Sequence, residues 1–118
     1  MPNDVIHSAM RASTADVHAP ASNTAAVITY AANEKNAHVI DGIVWSYSGD
    51  PTGGNLKVEN GSGTVVFNMD ITAGGAGFIP FARPKKGSLN TAMIITLAAG
   101  GAGISGKVSV PSHWTEAS

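Results

Sequence analysis

The run Gly101-Ala102-Gly103-Ile104-Ser105-Gly106-Lys107 satisfies two nucleotide-binding spacings at once, G-x-G-x-x-G and G-x-x-x-x-G-K. Both hold phosphate only where a strand leads in and a helix leads out, because the helix N-terminus supplies the free amides. Here Val108 stands where the magnesium-binding hydroxyl belongs, Val108-Ser109-Val110 reads as a strand, and Pro111 ends any helix at once. No acid follows about 20 residues on to take a ribose. The glycines are therefore expected to supply positive φ in a tight connection between the last two strands.

The four histidines, His7, His18, His38 and His113, are far apart and read as lying in unrelated settings, none at metal-ligand spacing from a second donor. His38 and Asp41 differ in strand parity, so they point to opposite faces unless a bulge intervenes. The eight acidic residues are spread along the chain with no pair placed as glycosidase carboxylates, and they read as solvated turn charges. No serine has a local His/Asp context, although distant residues can assemble a triad in space. No catalytic, cofactor-binding or metal-binding residue is assigned, and neither an enzymatic activity nor a cofactor is expected. Arg83-Pro84-Lys85-Lys86, the basic cluster, reads as part of an exposed loop running to Ser88. Asn60-Gly61-Ser62 fits the glycosylation pattern but falls in a predicted hairpin turn. Trp45 and Tyr47 could stack on a sugar, yet mid-strand positions shared with Val39 and Ile43 point to the core.

The elements that would position these residues follow from composition and pattern. The chain has 118 residues, no cysteine, 14 glycines, 43% hydrophobic and only 13% charged residues. The length fits one domain with a real core. A mix poor in Leu, Glu and Lys disfavours a helical bundle and fits a glycine-turned β-protein. A formal charge of −1 argues against nucleic acid or an anionic membrane as partner. No apolar run reaches the ~18 residues of a membrane-spanning helix. The start Met1-Pro2-Asn3-Asp4 lacks the basic and apolar regions of a signal peptide, so synthesis in a cytoplasm without that export route is expected.

Residues 1–23 read as an N-terminal arm with an apolar patch at Val5, Ile6, Ala9 and Met10, and 24–118 as a β-domain. Strand signals recur at Ala26–Ala31, His38–Ser48, Leu56–Glu59, Thr64–Asp70, Phe78–Phe81, Ala92–Leu97 and Ile104–Val110. In the second run Val39, Asp41, Ile43, Trp45 and Tyr47 share one face by strict alternation, and both faces carry apolar residues, as in a central strand. Leu56-Lys57-Val58-Glu59 alternates cleanly, and Asn60-Gly61 joins it to the next run as a hairpin. Pro80 confines its strand to a sheet edge. About seven to eight strands with turns every ~8–12 residues predict an all-β antiparallel sandwich, jelly-roll-like.

The stretch from His38 to Val110 resembles small virion proteins of tailed bacteriophages. The matching features are Val44-Trp45-Ser46-Tyr47-Ser48 leading into Asp50-Pro51-Thr52-Gly53-Gly54-Asn55-Leu56, then Val58-Glu59-Asn60-Gly61 with Val65-Val66-Phe67, and Thr96-Leu97-Ala98-Ala99-Gly100-Gly101 with Gly106-Lys107. These are similar to head-decoration or related capsid-surface jelly-roll proteins. The resemblance implies a non-enzymatic capsid decoration protein of the virion surface, a homo-oligomer with a trimer favoured, whose partner is the major capsid protein or another virion protein. Val5, Ile6 and Met10 would anchor the arm on a neighbour, and Trp114 would be exposed or buried at a subunit contact. The competing expectation is a carbohydrate-binding or host-adhesion β-sandwich module, which requires exposed aromatics near loop tips.

Overall fold

The computed structural model describes residues 16–117. They form nine strands and no helix: β1 (Asp16–His18), β2 (Ala26–Tyr30), β3 (Ala37–Tyr47), β4 (Gly54–Asn60), β5 (Val65–Ile71), β6 (Gly75–Lys86), β7 (Met93–Leu97), β8 (Gly106–Val110) and β9 (His113–Glu116). One sheet runs β1-β8-β3-β6 with β9 added on β3, and the other runs β2-β7-β4-β5. All pairings are antiparallel, and β1 pairs β8, β2 pairs β7, β3 pairs β6 and β4 pairs β5. Those four nested pairs are a long hairpin wrapped around a barrel axis, which is the jelly roll. β9 follows β8 after Pro111 and pairs with Ala37–Ile40, so β8 and β9 lie end to end along the flank of β3 opposite β6.

Alternation builds the core. Leu56 and Val58 of β4 and Ile95 and Leu97 of β7 are fully buried, while Lys57, Glu59, Ile94 and Thr96 face outward. The β4–β5 hairpin forms at the expected turn, with Asn60 N–H donating to Thr64 O at 2.8 Å. β6 lies at a sheet edge, as Pro80 requires, and Gly77 on it is a site of close approach. A Cβ there would come within 2.3 Å of the Trp45 ring, which lies across from it.

Three expectations need correction. Strict alternation fails in β3. Its pairing with β6 shifts register between Ile40 and Gly42, so Ile40 and Ile43, three residues apart, both enter the core. Before the shift His38 and Ile40 face inward; after it Ile43, Trp45 and Tyr47 do. The segment Arg83–Lys86 is not loop but the end of β6, with Lys85 opposite Ile40 and Lys86 opposite Val39. Charges and a second proline are tolerated there because the strand is an edge. The domain also extends beyond the predicted runs at both ends. Asp16–His18, within the 1–23 segment, is strand β1, and His113–Glu116 is strand β9. The arm anchors Val5, Ile6 and Met10 lie outside the described residues.

Candidate functional site

The Gly101–Lys107 run is a turn. Gly101 and Gly103 have φ of 102° and 76°, and Ile104 N–H closes back on Gly101 O at 3.1 Å. The chain then enters strand β8 with Lys107 exposed on it, so no helix N-terminus faces a phosphate.

The histidines are the larger surprise. Two of the four, His38 and His113, far apart in sequence, meet on the flank where β1, β2, β3 and β9 converge. Tyr30 of β2 donates its hydroxyl to Asp16 Oδ2 of β1 at 2.6 Å. Its ring lies flat on His113 of β9, with centroids 3.7 Å apart and planes 2° from parallel. His113 Nε2 lies 2.9 Å from His38 Nδ1 on β3, and His38 Nε2 lies 2.6 Å from the Ala31 carbonyl. That carbonyl can only accept, so His38 Nε2 carries the proton. A single proton lies between His38 Nδ1 and His113 Nε2, so whichever ring carries it donates and the other accepts. Nearby, Val27 N–H of the β2 edge donates to His18 Nδ1 of β1 at 2.9 Å.

The electrostatics follow from this packing. Burial and the Asp16 carboxylate push the Tyr30 phenol far above its ordinary value, so it remains a donor. Burial, reinforced by His38, holds His113 below the ordinary imidazole value, and Asp16 offsets part of that. The Tyr30–His113 stack, with its bonds to Asp16 and His38, therefore joins the two sheets. Sequence spacing could not show it, because each member comes from a different strand.

On the outer face of the first sheet, Trp114 of β9 is half-buried beside Val39. Its Nε1–H donates to Glu116 Oε2 at 2.8 Å, while Glu116 Oε1 reaches Lys86 Nζ of β6 at 3.3 Å. These hydrogen bonds, from Trp114 first and Lys86 second, hold the Glu116 carboxyl below its ordinary range. The strap crosses β3 from one neighbouring strand to the other. It accounts for the burial of Ala37 and Val39, at 0% and 2% exposure, on a face turned away from the core.

Among the described residues, nothing covers the rest of that face. Cross-strand neighbours Val17, Ser109, Val44 and Phe78 form a row over all four strands, with Val17 65% and Phe78 57% exposed. Pro80, Ala76, Ser46 and Lys107 flank the row, and Lys107 is the one charge among these residues. The opposite flank of the sandwich, between β5 and β6, is closed by half-buried Phe67, Met69, Ile79 and Phe81. Phe67 and Phe81 meet edge to face at 5.4 Å, and Lys85 Nζ sits 5.6 Å above the Phe81 ring. Tyr47 is buried in the core with its hydroxyl donating to Ala98 O at 2.6 Å, and Trp45 packs against the core. Neither presents the sugar platform considered above.

No protein-family model matches this sequence, and no curated protein does. Among solved structures, the chain is similar to one titled "Structure of infectious bursal disease virus Gx strain", at 18% identity and a TM-score of 0.25. The match covers 90% of this chain and 33% of that one, so this chain spans about a third of that chain's length.

Proposed function

We propose that the protein is a non-enzymatic structural protein of the virion, a capsid decoration protein. In this reading it binds a repeated site on the major capsid protein, or on another virion protein, at the head surface, and does so as an oligomer with a trimer favoured. The observation that carries the reading is the bare outer half-face built on Val17, Val44 and Phe78. Exposed apolar side chains at Val17 and Phe78, with half-buried Val44 between them and little charge nearby, mark a contact surface. The jelly-roll wrap and the phage-like turn motifs from Val44 to Lys107 support the same reading. The sugar-binding alternative loses its best candidates, because Trp45 and Tyr47 pack inward.

The test is cosedimentation of the purified protein with bare capsids. The expected result is saturable pelleting of the wild type and its loss in a Val17→Asp/Phe78→Asp variant that keeps a β-sheet circular dichroism spectrum. A wild-type protein that stays in the supernatant at every capsid concentration overturns the proposal. A variant that pellets as well as the wild type moves the contact off this face.

A further inference from the structure

We propose that Asn60 is a gated deamidation site: the fold withholds its carboxamide from the Gly61 nitrogen, and the side chain is converted to aspartate or isoaspartate when the link between β6 and β7 lets go of it. Asn60 is the one asparagine of the chain followed by glycine. That pair is the most open to this reaction, because glycine has no side chain to hinder attack by its nitrogen and allows the backbone angles that ring closure needs. The Gly61 nitrogen bonds to Asn60 Cγ, its proton leaves with the departing ammonia, and a succinimide ring closes. Water then opens one of the two carbonyl–nitrogen bonds of the ring, giving aspartate in one direction and isoaspartate in the other.

The fold engages both reactants. Gly61 N–H, the nucleophile, donates to Ala92 O at 2.7 Å. The carboxamide is held at both ends, with Asn60 Oδ1 accepting from Ser88 N–H at 3.1 Å and Nδ2 donating to Ser88 Oγ at 3.0 Å. Ring closure requires the carboxamide to swing away from Ser88 and the Gly61 amide to leave Ala92. Ser88 and Ala92 lie on the same β6–β7 link, so one segment controls both partners. Gly87 completes the clamp, since a Cβ there would come 2.8 Å from Asn60 Oδ1. The backbone is fixed as well. Asn60 ends β4, pairs with Met93 and donates to Thr64 O at 2.8 Å, and Gly61 holds a φ of 83°.

Conversion would loosen this end of the second sheet in one direction only. Isoaspartate carries the main chain through the side-chain carbon and lengthens it by one atom, at a residue that must stay in register with Met93 and close the β4–β5 turn. Either product adds a carboxylate next to Glu59, whose own Oε2 accepts from Gly63 N–H at 2.9 Å in the same turn.

The experiment incubates the full chain at mildly alkaline pH, folded and in urea, and follows the Asn60 peptide by mass spectrometry for the gain of one mass unit and for the isoaspartate isomer. In the folded wild type Asn60 is expected to react about tenfold or more slowly than in urea, because only the opened fraction reacts. Ser88→Ala removes one of the two bonds to the carboxamide and should speed the folded-state reaction about fivefold. Gly87→Ala, which crowds Asn60 Oδ1, should act in the same direction. Asn55 and Asn68, on the same sheet without a following glycine, are the unmodified references. Equal rates for the folded and the unfolded wild type overturn the gate. So do two variants that keep the β-sheet circular dichroism spectrum and react at the folded wild-type rate. Where a variant loses that spectrum, the folded-against-urea comparison of the wild type decides.

Discussion

The two flanks of this sandwich are closed by different chemistry. On one, β1 and β2 are tied by directional bonds: Tyr30 to Asp16, Val27 to His18, and the stacked Tyr30–His113 pair that reaches His38. On the other, β5 and β6 meet through Phe67 and Phe81, with Met69 and Ile79 also only half-covered. The first depends on each donor finding its acceptor, because a stranded buried polar group costs its full desolvation. The second depends on area, which tolerates small shifts. The contrast predicts one flank that is stiff and sensitive to pH, and one that is yielding and indifferent to it.

Substitutions can break or sharpen that contrast. Tyr30→Ala removes the stack and strands Asp16, and should cost about 3 kcal/mol in urea unfolding, within the range for losing a packed aromatic. Phe81→Ala, half-exposed, should cost less, about 2 kcal/mol. A larger loss from Phe81 than from Tyr30 would reverse the ranking of the flanks. Tyr30→Phe keeps the ring on His113 and deletes only the hydroxyl, so about 1–2 kcal/mol is expected from the same measurement. Acid should widen the gap between flanks. Because His113 is held low in the fold, wild-type stability falls as pH drops below the ordinary imidazole value of about 6.5. His113→Gln should flatten that slope, and Phe81→Ala should leave it unchanged. Lys85→Met should have the smallest effect, at most about 0.5 kcal/mol, since the cation sits over Phe81 at a wet edge.

What the sequence disclosed and what it concealed divide along the same physical line. β4, β7 and the Asn60-Gly61 hairpin were legible because their side chains alternate and their turn chemistry is local. The face assignment in β3 failed at the register shift by Asp41, since a bulge inverts every later position without leaving an apolar signature. β1 and β9 were invisible for another reason. Asp16-Val17-His18 and His113-Trp114-Thr115-Glu116 carry no two-residue period, and they are strands because of what they pair with. Arg83–Lys86 looked like loop because proline and lysine avoid sheet interiors, yet an edge strand accepts both. The histidine cluster needed the fold itself. His38 and His113 come from two strands, and only the wrapped topology sets them side by side. The bare row of Val17, Val44 and Phe78 also required register, which crosses four strands and has no linear trace.

The Trp114–Glu116–Lys86 strap has a geometric consequence for any flat partner. It rises over one end of the first sheet and roofs Ala37 and Val39, so a body resting there would stand off from the backbone. Among the described residues, the opposite end has no such roof. A flat surface laid on this sheet would therefore sit off-centre, toward the Phe78 end.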